Sequence, residues 1–304
     1  MLLEDLHIII KVAEFKSITK AAASIDMQTA TASAAIKRVE AALGIELFIR
    51  TTRKLRLSTA GERYIPQCQQ ALLTLEKAKR NIRDERGIID GDLRISLSSD
   101  LGRNLVSPWL DEFVHSHPKV SLKLNISDSN IDFYRDSVDV ALRYGSPTDS
   151  NLYGFKICNV PRILCASLQY LTENGTPEHP NELATHNGLF YQLNDVIYDV
   201  WKLSRNDNEY KIKMTGNRAS NDGDLVRRWC VAGHGLAVKS CLDVSSDLLS
   251  GNVVTVLKEY KPRATELWLV CPSRQSITPA IRLLRDTIKD KCTVILTILI
   301  DQGI

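Results

Sequence analysis

Apolar positions fall at helical spacing three times before residue 45. Leu6, Ile9, Ile10 and Ala13 recur at i, i+3, i+4 and i+7, which predicts an amphipathic helix over 3–15. Ser17 can cap a second helix, whose inward stripe is Ile18, Ala21, Ala22 and Ile25. After a short join around Asp26–Thr29, a third helix turns Ala32, Ala35, Ile36, Val39 and Leu43 inward and stops at Gly44. Two short helices, a tight join and an alanine-lined contact predict a helix-turn-helix. The period then drops to two: Leu55 and Leu57 alternate with Lys54 and Arg56, a half-buried strand at the edge of a hairpin.

From 62 to about 86 one narrow stripe runs through Ile65, Cys68, Leu72, Leu75, Lys79 and Ile82. This is a heptad seam broken only by Lys79. Such a stripe suits pairing with a second copy of the helix, or ordinary packing on its own chain. Pro66 sits in the first turn, where it is tolerated, and the turn-rich "RGIIDGD" closes the segment. Beyond Gly91 strands and helices alternate. "DLRISLS", "VSLKLNIS", "VDVALRYG", "RILCAS", "GLAVKS" and "TELWLVC" read as strands, with helices at "LVSPWLDEFVHSH", "DLVRRWCVAG" and "IRLLRDTIKD". The expected fold class is α/β with a mainly parallel sheet, preceded by the helix-turn-helix and hairpin.

Composition narrows the class. With 304 residues the chain has room for two or three domains, and 44% apolar and 25% charged residues are the profile of a soluble globular protein. Glu4, Asp5 and His7 interrupt the first apolar run, and the longest uncharged apolar stretch, "CTVILTILI", is about half a membrane span. A cytoplasmic protein without a membrane partner is expected. Seven scattered cysteines without a Cys-x-x-Cys pair predict buried thiols and no zinc site. A redox signal through Cys158/Cys165 or Cys230/Cys241 is the alternative. The net charge of +3 is uneven: residues 1–90 hold 15 Lys/Arg against 11 Asp/Glu, so an anionic partner belongs to the N-terminal block.

That charge gives the third helix a purpose. Its outward face carries Gln28, Thr29, Ala30, Thr31, Ser33 and Ala34 first, then Lys37 and Arg38. Short and hydroxyl side chains let a backbone lie deep in a major groove about 12 Å wide, and cations further along meet phosphates. Arg50, Arg53 and Lys54 at the hairpin have the makings of a wing that touches phosphates or a minor groove.

"VAEFKSITKAAASI", the join and "AAIKRVEAALGIELFIRTTRKLRLSTAGERY" resemble, without a gap over about sixty residues, the N-terminal domain of LysR-type transcriptional regulators. Where that family commonly carries Ser-Gln-Pro-Ala-Val-Ser, this chain reads "QTATAS", which leaves Thr29, Thr31 and Ser33 as base-contacting candidates. The resemblance extends more loosely through "VDVALRYG", "ILCASLQYL" and "VAGHGLAV". It implies a winged helix-turn-helix over 1–61 and a dimerising linker helix and hinge over 62–90. It also implies a periplasmic-binding-protein-like effector domain over 91–304, with subdomain I at about 91–160 and 267–304 and subdomain II at about 161–266. The expected partners are double-stranded DNA, a small-molecule effector, a second copy of the chain as homodimer or tetramer, and RNA polymerase. No cofactor, metal or catalytic residue is expected.

Ligands of open α/β sheets bind beyond the carboxyl ends of strands. Ser98 and Ser99 end the first strand, Ser127 and Asp128 the second, Arg143 the third, and Ser220 and Asn221 precede a later helix. In the family, the first, second and last of these groups correspond to positions that line the effector cleft. The effector candidates are therefore Ser98, Ser99, Ser127, Arg143, Ser220 and Asn221. An α/β enzyme is the rival from another class, but neither Gly-x-Ser-x-Gly nor His-Glu-x-x-His occurs, and the glycines of "GHGLAVKS" lie at the wrong offsets from Lys239 for a phosphate loop. A pure solute-binding protein would leave residues 1–61 without a use.

Overall fold

The structure is a computed structural model. It describes residues 2–50, 55–84, 89–129, 131, 133, 136, 138–147, 149–193 and 196–304. The chain divides into two compact units at Arg86/Gly87.

In the first unit, α1 (Leu3–Phe15), α2 (Ile18–Ser24) and α3 (Thr29–Leu43) follow the sequence spacing closely. Ser17 caps α2 by accepting from the Lys20 N–H, and Gly44 takes the left-handed conformation that ends α3, at φ 68°. Ile9, Val12, Ala21, Ala32, Ala35 and Val39 are wholly buried; alanine at the α2–α3 contact lets the two backbones approach. After α3, the Glu40 carboxylate accepts from the Leu47 and Phe48 N–H groups at 2.8 and 3.1 Å and aims the chain into β1 (Phe48–Arg50). β1 pairs antiparallel with β2 (Leu55–Leu57), as the alternating pattern requires.

The long helix α4 (Thr59–Asp84) begins three residues earlier than its stripe suggests. Its seam needs correction. Ile65, Cys68 and Leu72 are buried in the same core as α1–α3, whereas Leu75 is exposed. The first half of the heptad pattern thus covers the helix-turn-helix from behind, because a body of three helices and one two-stranded hairpin is too small to close its core alone. The side chains of Lys79 and Ile82 lie outside the described residues.

In chain order the second unit begins with β3 (Gly91–Leu97), α5 (Ser99–Leu101), a π turn at Gly102–Val106, α6 (Ser107–Ser116), β4 (Val120–Ile126), β5 (Val140–Tyr144) and β6 (Tyr153–Val160). There follow β7 (Arg162–Ala166), α7 (Leu168–Asn174), β8 (Asn187–Leu193), β9 (Val196–Ile197), β10 (Val200–Arg205), β11 (Asn208–Lys213) and β12 (Thr215–Ser220). The unit closes with α8 (Gly223–Val231), β13 (Ala237–Ser240), α9 (Ser245–Ser250), β14 (Val254–Val256), β15 (Lys261–Pro262), β16 (Thr265–Cys271) and α10 (Pro279–Asp301).

One sheet has the order β4-β3-β5-β16-β6, and its main core includes Leu97, Leu101, Leu142, Leu267, Leu284 and Cys292. Three smaller sheets, β13-β7-β14, β12-β8-β9 and β11-β10-β15, build the other half around Leu164, Leu183, Phe190 and Leu236. The chain leaves the five-stranded sheet between β6 and β7 and returns between β15 and β16. The sheets are mixed, not mainly parallel. β3 is parallel to β4 and β5, but β16 runs antiparallel between β5 and β6, and β7 is antiparallel to both neighbours. A strand that arrives from the other half by a direct link, with no helical crossover, has no need to enter parallel. The pattern reading also passed over the hairpin β10–β11, whose turn residues Asn206 and Asp207 both have positive φ. Asn and Asp tolerate that region, which signals a tight hairpin turn. The apolar tail continues α10, burying Cys292 and Leu299.

Candidate functional site

On α3, Gln28, Thr29, Thr31, Ala34 and Lys37 are exposed and Ser33 is half-buried, so the small-residue face is open along its length. Lys37 has no ion pair among the described residues. Arg38 does: its guanidinium clasps the buried Asp5 of α1, with Nε 3.3 Å from Oδ2 and Nη2 on Oδ1. That pair holds the Asp5 carboxyl below its ordinary range, the Arg38 hydrogen bond outweighing burial. Arg38 is therefore a strut between α1 and α3 and not the free phosphate cation its position suggested. The sequence hint was Asp5 on an apolar face, which needs a partner once buried. Arg53 and Lys54 lie outside the described residues, as does the side chain of Arg50.

In the second unit a cavity of about 750 Å³ opens between the five-stranded sheet and the smaller sheets, within the usual range for small-molecule sites. The first half contributes Ser98, Asp128, Arg143 and Tyr144; the second contributes Arg162, Tyr191, Lys239 and Asp243. Ile131, Phe133, Leu152 and Val270 make one wall apolar.

Of the six expected effector residues, Ser98 and Arg143 line this cavity and the other four do not. Ser99 is 2% exposed and is consumed by the contact between the halves. Ser127 Oγ accepts from the Ser129 N–H at 3.2 Å and Ser220 Oγ from the Asp222 N–H at 3.1 Å, so both are turn formers. Asn221 is exposed outside the cleft. The rule that ligands gather beyond strand ends located the region. It did not separate side chains facing the ligand space from those that satisfy the helix starts beside it.

Charge explains what remains available. Arg143 donates Nη2 to Ser96 Oγ at 2.7 Å and Nη1 to the Leu142 carbonyl at 3.2 Å, but no carboxylate among the described residues lies within ion-pair distance. Burial pulls its guanidinium below the ordinary value, partly offset by the nearby Asp128 charge. Arg162 likewise has no ion pair among the described residues, and burial lowers its guanidinium against the pull of Asp243. Lys239 is neutralised: it pairs with Asp100 and donates to the Gly223 carbonyl at 2.9 Å. Burial pushes the Asp100 carboxyl up to about 7 against Lys239 and Arg227. Tyr144 donates to Asp243 Oδ1 at 2.7 Å and meets Ser240 Oγ at 2.8 Å, joining the two halves across the cavity wall. Ser98 Oγ is buried with no hydrogen-bond partner among the described residues. Arg162, Tyr144, Tyr191, Lys239 and Asp243 were missed at the sequence level; only their convergence from separate strands identifies them.

All seven cysteines are free and six are buried. Cys165 and Cys230 sit with sulfurs 3.9 Å apart inside the second half, while Cys158 shares a hydrogen bond with Cys292 that, with Lys156 nearby, lowers its thiol. These partnerships differ from the two pairs expected, since sheet packing rather than separation in sequence brings thiols together. No group of three or more His, Cys, Asp or Glu among the described residues could hold a metal ion. No helix among them is long and apolar enough to cross a membrane.

A helix-turn-helix with an open face and a two-halved α/β unit around a cleft define a transcriptional regulator with a DNA-binding and an effector-binding domain. Residues 3–62 match the family described as "Bacterial regulatory helix-turn-helix protein, lysR family", and residues 87–293 match "LysR substrate binding domain". The chain belongs to the LysR family of transcriptional regulators. It is similar to the HTH-type transcriptional regulator DmlR of Escherichia coli (strain K12), with 32% identity over 282 residues covering 93% of this chain and 92% of the relative. The transcriptional activator TtdR of Escherichia coli (strain K12) is 26% identical over 269 residues, covering 88% and 86%. Among solved structures it is similar to the full-length Vibrio cholerae virulence activator AphB, with 28% identity, a TM-score of 0.60 and coverage of 95% and 98%. CrgA of Neisseria meningitidis gives 26% identity, a TM-score of 0.61 and the same coverage.

Proposed function

We propose that this regulator reads DNA through the face of α3 and is controlled by a small molecule bound in the cleft of the second unit. The carrying observation is the cavity itself. It is lined from both halves, and among the described residues it presents Arg143 and Arg162 without a carboxylate partner and Ser98 with an unsatisfied hydroxyl. Buried polar groups without partners cost stability unless they serve another purpose. A ligand that bridges the halves favours one relative angle over the other, provided its affinity differs between them. α4 carries that change toward the DNA-binding helices. Self-association through the exposed half of the α4 stripe at Leu75, and contact with RNA polymerase, complete the reading.

Two experiments test it. DNA retained from the organism's own genome is sequenced to define the operator, and binding is then measured against salt. Lys37→Ala should weaken operator and random DNA alike and flatten the log K against log[salt] slope by about one unit. Ser33→Ala should alter base preference with little change on random DNA, and equal losses on both would take Ser33 out of base reading. For the cleft, Arg143→Ala should reduce the response to whichever metabolite shifts operator binding by roughly tenfold, the scale of one charge-assisted hydrogen bond. Full response in that variant removes Arg143 from the effector site.

A further inference from the structure

The Asp128 side chain, two residues beyond β4, uses both carboxylate oxygens on donors from two different elements. Oδ1 accepts from the Ser99 N–H at 2.7 Å. Oδ2 accepts from the Ser99 hydroxyl and from the Gly223 N–H at 2.7 Å. Ser99 opens α5 on the first half of the unit, and Gly223 opens α8 on the second. Ser99 Oγ in turn accepts from the Asp224 N–H at 3.2 Å, so one hydroxyl and one carboxylate tie the halves together. Alongside, Asn104 donates to Asp224 at 2.7 Å and Arg103 to Asp222 at 2.9 Å across the same seam.

Free N–H groups at helix starts are the natural partners of an anion, and charge-assisted hydrogen bonds to them are roughly twice as strong as neutral ones. Here the anion belongs to the protein. Asp128 also lines the cavity, so its carboxylate stands where a bound ligand would meet Ser99 and Gly223. A ligand acid group can reach those donors only by expelling Asp128, which would leave a carboxylate stripped of its partners in a confined site. A side chain on Gly223 would also meet this cluster, since a Cβ there would lie 3.5 Å from both Asp128 Oδ2 and Ser99 Oγ.

We propose that Asp128 is a tethered, built-in ligand: it fills the anion position formed by Ser99 and Gly223, links the halves without any effector, and excludes from the cleft effectors that need this position for an acid group. The proposal rests on the cleft being the effector site only for its last clause. The occupancy itself is tested with no effector present, so its failure is distinguishable from failure of the cleft reading, which Arg143→Ala tests.

The test is chemical rescue in the full-length protein. Asp128→Ala removes the equivalent of a formate ion. It should lower the melting midpoint of the second unit by several degrees, and formate at roughly millimolar to tens of millimolar concentration, on the scale of a weak single-site ligand, should restore much of the loss. Chloride at equal ionic strength should not. Wild type should gain nothing from formate. An Asp128→Ala protein that melts with wild type, or a wild type that gains as much from formate as the variant, overturns the proposal. If Asp128→Ala does not fold, Asp128→Asn is compared with wild type by amide hydrogen exchange. Faster exchange at both Ser99 and Gly223 supports the tether, and unchanged exchange at both overturns it.

Discussion

Lys239→Met is expected to destabilise the second unit by about 3–5 kcal/mol at pH 8, the cost of breaking a buried ion pair from one side. Lys239 is 7% exposed and Asp100 3%, so neither charge has water to fall back on. Removing the ammonium takes away the contact with Asp100 and the hydrogen bond to the Gly223 carbonyl, and it deprives Asp243 of the larger of the two positive charges, Lys239 and Arg162, that lower its carboxyl. Arg227 lies 3.9 Å from Asp100 and is already engaged by Asp247, so it cannot stand in fully. The pH dependence has a definite sign. Burial raises the Asp100 carboxyl to about 7 in the folded chain, above its ordinary value of 3.8, so the folded state binds this proton more tightly. The group's contribution to stability therefore grows as pH falls from 8 through 7 toward 4 and is lost as pH rises. The deficit of Lys239→Met should shrink on acidification to pH 6, where Asp100 takes up a proton. Adding Asp100→Asn should recover most of it, because contacting partners are not additive. Denaturant titrations at pH 8 and 6 measure both. A loss under about 1 kcal/mol at pH 8, well short of the range for a broken buried pair, would mean that the pair does not hold the unit.

Gly61→Ala should destabilise the first unit by about 3 kcal/mol, at the upper end for overpacking. On propensity alone this change inside a helix would stabilise by about 1 kcal/mol, so even its sign is informative. The reason is a backbone approach. A Cβ at residue 61 would lie 2.2 Å from the Leu47 carbonyl oxygen and 3.1 Å from Leu57 Cδ2. That carbonyl accepts from the Ser58 N–H at 2.9 Å, and Glu40 anchors the Leu47 N–H, so the oxygen has nowhere to go. The start of α4 would lift from the hairpin, and operator binding would weaken with it. Calorimetry of the full-length chain should show the first unit melting early, with the second unit's transition as internal reference. A first transition at or above the wild-type temperature would show that the contact relaxes at little cost.

Local order was legible because it follows from spacing. Ser17, the alanines of α2 and α3, and Gly44 define the helix-turn-helix through propensity, capping and period, and each acts within a few residues. The basic N-terminal block and the resemblance carried by "LGIELFIRTTRKLRLSTAGE" point to the DNA-binding domain in the same way. Pattern had less hold on α4. Ile65, Cys68 and Leu72 present the same stripe whether they meet a second chain or their own core, and burial assigns them to the core.

What the sequence determined by itself was the three helices and hairpin at the start, the alternation of strands and helices that follows, and the strand ends beside which the cleft opens. All of these rest on interactions between near neighbours in the chain. Tertiary structure alone decided which side chains do what there. Arg38 becomes a strut because folding buries Asp5 opposite it, 33 positions away. Ser99 is withdrawn from the cleft because Asp128 and Asp224, from separate elements, claim its hydroxyl. Arg162, Tyr144 and Asp243 become one wall only when β5, β7 and the turn after β13 converge. Such assignments depend on which charges and hydroxyls meet once water is excluded, and no period along the chain encodes those meetings.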